Sequence, residues 1–182
     1  AWDSEVTPCS ITTDGYVDAF YDAQSNDYAD ISASVKTGVG EAADVLFAAD
    51  NIKSLVINAD KNADNKVIYV NVDDSAAEDK KVNQAGKLVV NAEDDVTFTI
   101  IETFKGTEGV AGNTAFRTLI DAGKNSHVKL VQVFLQPKEQ DVLSDIGSRC
   151  ADEAGFELVQ LFLGEGSLYD GIRTDLKGNK SE

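Results

Sequence analysis

The sequence predicts an α+β fold, mainly antiparallel β in a sandwich-like or barrel-like arrangement, with two helix–strand units in its C-terminal half. Three observations carry that expectation. Aliphatic runs separated by clusters of turn formers recur from Ser54 onward. One run, Val96-Thr97-Phe98-Thr99-Ile100-Ile101, alternates so that Val96, Phe98 and Ile100 share a face, the pattern of a half-buried strand. Two near-identical runs, Leu130-Val131-Gln132-Val133-Phe134-Leu135 and Leu158-Val159-Gln160-Leu161-Phe162-Leu163, each follow a segment with helical punctuation. They read as paired helix–strand units, either an old duplication or a coincidence between aliphatic strands.

The chain has 182 residues and a mass of 19.5 kDa, which suits a single domain with a real core. Sixteen basic residues against 32 acidic ones give a net charge of −16. Such a charge repels polyanions and excludes a nucleic-acid reader, which needs clustered Lys and Arg. No apolar run reaches the roughly 18 residues of a membrane helix, so no membrane partner is expected.

Residues 1–34 read as an extended arm rich in Asp, Ser, Ala and Tyr. Asp14, Asp18 and Asp22 fall at i, i+4 steps that would repel on a helix. The aromatics Trp2, Tyr16, Phe20, Tyr21 and Tyr28 are expected to pack on a neighbour, in the same chain or another subunit. Residues 35–168 are expected to form the domain. Candidate strands run over residues 33–37, 45–48, 54–59 and 66–72, the last two joined as a hairpin. Its tip, Asp60-Lys61-Asn62-Ala63-Asp64-Asn65, is dense in turn formers.

Asp60, Asn62 and Asp64 also match the first oxygen positions of an EF-hand loop. Asn65 stands where that loop needs glycine and Asn71 where it needs glutamate, so a plain turn is the favoured reading and a calcium site the other. Residues 75–86 are charged and read as an exposed loop or short surface helix. Residues 87–92 and 96–104 make a second hairpin around Glu93-Asp94-Asp95. Asn113 is a good N-cap for a helix carrying Ala115, Phe116, Leu119 and Ile120, with Gly123 beyond its end. A second helix is expected from about Gln140 to Ala154, with Val142, Ile146, Cys150 and Ala154 on its apolar side and Gly155 as its stop. After Gly164 order is expected to fade, leaving residues 169–182 as a free tail.

Catalytic patterns are scarce. His127 is the single histidine, which excludes a site needing two imidazoles. Gly106, Gly109 and Gly112 precede the expected helix, but their spacing is not the dinucleotide fingerprint and Glu108 would repel phosphate. Cys9 and Cys150 allow one disulfide and no metal set; a free buried thiol is the plainer reading of Cys150. No cofactor and no enzymatic activity are expected.

The run from Asp95 to Thr103, with the segment Asn113–Ala122 after a glycine-containing link, resembles the strand, link and short helix of tail-tube proteins of tailed phages. That resemblance implies a β-sandwich flanked by a helix, assembling into stacked rings. The leading expectation is therefore a non-enzymatic, self-assembling subunit of a virion, a tail tube or capsid decoration protein, that partners with itself in a ring or lattice and with neighbouring structural proteins. The alternatives are an extracellular or cell-surface fibre subunit and a small acidic calcium-binding module.

Overall fold

A computed structural model describes residues 6–15, 19–22, 31, 34–48, 51–52, 54–74 and 82–182. Its strands are β1 (Thr7–Pro8), β2 (Ser10–Gly15), β3 (Ala19–Asp22), β4 (Ser54–Ala59), β5 (Val67–Asp74), β6 (Val82–Ala92) and β7 (Thr97–Gly106). They continue as β8 (Gly112–Ala122), β9 (His127–Phe134), β10 (Gln140–Cys150), β11 (Gly155–Phe162) and β12 (Leu168–Leu176). From β4 onward successive strands alternate between two sheets. One sheet has the order β12-β10-β8-β6-β4-β3, with β1 also paired to β6; the other has the order β11-β9-β7-β5-β2. The pairs from β4 to β12 are all parallel.

This is a parallel β-solenoid, each coil giving one strand to each sheet. Residues in register lie one coil apart. Asn58 pairs with Asn91 33 residues on, Glu102 with Gln132 30 on, Gln132 with Gln160 28 on and Ser148 with Thr174 26 on. The expected sandwich or barrel with two helix–strand units is not what forms.

The two predicted helices are strands, for separate reasons. In β8 almost every residue is buried. Phe116 and Ile120 face the interior core, while Ala115 packs outward with Ala43, Leu46, Phe47 and Ile52 and Leu119 with Ile31 and Val35. A strand covered on both faces loses its period of two, and its apolar residues then mimic a helical stripe. In β10 the inward row is Val142, Ser144, Ile146, Ser148 and Cys150. Polar residues at alternate inward positions leave the apolar ones four apart, which reads as a helix. The Ser144 hydroxyl bonds Gln132 and the Ser148 hydroxyl donates to Thr174 at 2.8 Å, so both serines are satisfied inside.

The two predicted hairpins are also corrected. β4 and β5 lie in different sheets, as do β6 and β7. Their links are corners of the solenoid. Asn65, Asp95, Asn125, Glu153 and Lys180 each take a left-handed backbone, φ between 54° and 60°, once per coil at this same corner. Of the first two strands proposed, residues 45–47 belong to the short helix Asp44–Phe47, and 34–37 form no strand, residue 33 lying outside the described residues.

The interior core runs the length of the solenoid. Phe104, Phe134 and Phe162 stack in adjacent coils, with centroids 4.9 and 5.6 Å apart. The repeated hexamer is the source of part of this column. Leu130 to Phe134 lie in register with Leu158 to Phe162, position for position. Outside the first sheet, residues 35–48 cross over its face. Gly38 and Gly171 meet there so closely that a Cβ on Gly38 would fall 2.0 Å from the Ile172 nitrogen.

At the N-terminal end, β2 and β3 pair antiparallel with β5 and β4 and so cover the first edge of each sheet. Phe20 and Tyr21 lie on β3; Trp2, Tyr16 and Tyr28 fall outside the described residues. In place of the expected tail, β12 adds a parallel strand to β10, and the Phe156 amide donates to the Glu182 carbonyl.

Candidate functional site in the solenoid interior

The alternation that opens β7 continues past Ile100. It places Phe98, Ile100, Glu102 and Phe104 on the inward row, so a carboxylate enters the core. Register then sets Val70, Glu102, Gln132 and Gln160 side by side in four successive coils. Thr118 of β8 and Ser144 of β10 reach the same group from the opposite sheet.

Glu102 is fully buried. Its Oε1 accepts the Thr118 hydroxyl at 2.7 Å and its Oε2 accepts Gln132 Nε2 at 2.8 Å. Gln132 and Ser144 bond each other at 3.1–3.2 Å. Gln160 Nε2 donates to Gln132 Oε1 and to Asp170 Oδ2, both at 2.9 Å. A continuous chain of hydrogen bonds thus links a core carboxyl to an exposed carboxylate on β12.

Burial raises the Glu102 carboxyl to about 7, with the Gln132 and Thr118 hydrogen bonds opposing that rise. Desolvation penalises the charged form, and the two donors recover only part of the penalty. Such a group can hold or release a proton near neutrality. Sequence reasoning missed it. The signal was present: Glu102 has the parity of Phe98 and Ile100, and glutamine occupies the same place in both copies of the hexamer.

A second polar cluster lies outside the first sheet. Arg117 Nε meets Asp145 Oδ2 and its Nη1 meets Asp44 Oδ1, each at 2.8 Å; Nη2 donates to the Gly40 carbonyl. The guanidinium sits 4.4 Å from the Phe47 ring centroid. Asp145 Oδ1 also accepts the Val39 amide, and Lys87 Nζ donates to the Phe47 carbonyl. Burial first and Arg117 second hold the Lys87 ammonium below its ordinary value. These contacts fasten residues 39–47 to the sheet.

The residues singled out in the sequence lie elsewhere. Asp60 caps the short turn Lys61–Ala63, accepting from the Asn62 backbone and side chain. Asp64 Oδ1 accepts the Thr97 amide of the next coil, and Oδ2 accepts Asn65 Nδ2. The three oxygen-bearing residues therefore build a corner of the solenoid. Among the described residues no three His, Cys, Asp or Glu side chains converge on a metal position. His127 is exposed at the start of β9. Gly106, Gly109 and Gly112 form the opposite corner, where a strand and not a helix follows. Cys9 and Cys150 are both buried, and no disulfide joins them.

Over residues 75–182 the chain matches the family model described as "SUF system FeS cluster assembly, SufBD core domain". No curated protein and no solved structure matches it. The matched stretch spans β6 to β12 and includes all members of the hydrogen-bonded chain from Glu102 to Asp170. It also contains the run and segment that resembled a phage tail tube, so that resemblance is overturned. With it fall the virion subunit, the capsid and tail partners, the virion location and the surface-fibre and calcium-module alternatives. The match covers well over half of the sequence, and the chain belongs to the SufBD core domain family of the SUF iron–sulfur cluster assembly system.

Proposed function

We propose that this chain serves in iron–sulfur cluster assembly as a non-catalytic scaffold of the SUF system, working in the cytoplasm with other subunits or copies. The observation that carries the reading is the family match over β6 to β12. The architecture supports it. A solenoid held by in-register ladders is stiff along its length and keeps groups of neighbouring coils at fixed separations. Two buried cysteines that no disulfide joins suit a reducing compartment. The cluster itself would be cargo passed on to other proteins.

Within this reading the hydrogen-bonded chain from Glu102 to Asp170 fixes the spacing of β7, β9, β11 and β12. The test is genetic and enzymatic. The chain is removed from its host and the activity of a [4Fe–4S] enzyme is followed, with and without re-expression. A several-fold loss restored by the full chain is expected. Unchanged enzyme activity and unchanged cluster content in the deleted strain would overturn the proposal.

A further inference from the structure

One corner of the solenoid gathers oxygen atoms that face no donor. It consists of the links after β7, β9 and β11, held by the Glu165 and Gly166 amides donating to the Gln136 carbonyl and the Gln140 amide donating to the Pro137 carbonyl. Gln136 is 3% exposed and Gln140 is fully buried. Gln136 Oε1, Glu139 Oε2 and Gln140 Oε1 are buried acceptors with no hydrogen-bond partner. Gln140 Nε2 is used, donating to the Thr107 and Val110 carbonyls, which fixes its oxygen on the other side, against Gly106.

Gln136 and Glu139 line a cavity of about 420 Å³ together with Glu108 and Glu165. Lys138 Nζ approaches Glu139 Oε1 at 3.5 Å from a largely exposed position and leaves Oε2 turned inward. Acceptors without donors, one of them anionic, ask for a cation. Amide and carboxylate oxygens in an irregular arrangement suit calcium, which takes 6–8 oxygen ligands in flexible geometry. Magnesium demands a near-ideal octahedron. The net charge of −16 raises the local concentration of any divalent cation.

We propose that this corner binds a calcium ion through Gln136 and Glu139, with Glu108 or Glu165 and water completing the shell. The site joins three consecutive coils and is separate from the Asp60-Asn62-Asp64 turn, whose carboxylates are spent on hydrogen bonds.

Calorimetric titration of the full chain with Ca²⁺ in 150 mM KCl tests it, with Mg²⁺ as competitor and melting temperature as a second readout. One saturable Ca²⁺ site is expected, at least tenfold weaker in Glu139→Gln and unchanged in Asp64→Asn. Glu139→Gln keeps the side-chain shape, and its far-UV circular dichroism reports whether the solenoid persists. Gln136→Leu is the second variant, expected to weaken binding equally. No saturable heat and no shift in melting temperature would overturn the proposal, the acceptors then being served by water. Binding that survives Glu139→Gln in the folded protein, or that is lost in Asp64→Asn, would overturn it as well.

Discussion

Replacing Glu102 with Gln isolates the energetic effect of a carboxyl in the solenoid core. Unfolded, the carboxyl titrates near its ordinary 4.5; folded, burial moves it to about 7. The folded state therefore favours the protonated form. The stability associated with that form is fully present below pH 4.5, is lost as pH rises from 4.5 to 7, and stays lost above 7. A gap of this size corresponds to roughly 3 kcal/mol. Glutamine mimics the protonated acid. Its carbonyl can accept from Gln132, and its amide can donate to the Thr118 hydroxyl, which rotates to accept.

Urea unfolding of both proteins from pH 4.5 to 8 measures the difference directly and cancels the other titrating groups. Glu102→Gln should match the parent near pH 4.5 and exceed it by about 3 kcal/mol at pH 8, with the difference levelling off near 7. A difference that stays flat, or that has levelled by pH 5, would refute the claim that this carboxyl pays a desolvation penalty in the core.

Other perturbations probe the frame. Phe134→Ala removes the middle ring of the Phe104–Phe134–Phe162 column and should cost about 3–5 kcal/mol in urea unfolding. Arg117→Met strands the fully buried Asp145 and should cost about 3–5 kcal/mol, while speeding limited proteolysis between Lys36 and Ala48. Glu153→Asn places a residue tolerant of left-handed backbone at φ 60° and should raise stability by up to ~1 kcal/mol, read as a higher urea midpoint.

What a reader of this sequence can and cannot see depends on what each residue touches. The strand runs at 54–59, 67–74, 97–106, 127–134 and 155–162 are legible because one of their faces is wet or their residues are strongly β-branched. The clusters Asp60–Asn65 and Glu93–Asp95 are legible as turns, since Asn and Asp accept the left-handed conformation adopted at Asn65 and Asp95. Glu102 was within reach of the period-two rule, but a lone carboxylate in a strand is ordinarily assigned to the surface. Only its partners, Thr118 on the other sheet and Gln132 one coil on, explain how it is tolerated inside.

By itself the sequence determined where the chain turns, which short runs are extended, and that the hexamer at 130–135 recurs at 158–163. Those properties are local: backbone preferences at Asn and Asp, β-branched crowding, and alternation along a single strand. The tertiary structure alone decided that consecutive strands belong to opposite sheets, that Asn113–Ala122 and Gln140–Cys150 are strands, and that Glu102 meets Gln132. A solenoid buries each strand against residues about 30 positions away, as the Glu102–Gln132 bond does, and covers β8 on both faces. The contacts that fix its architecture therefore lie far outside any window in which periodicity can be read.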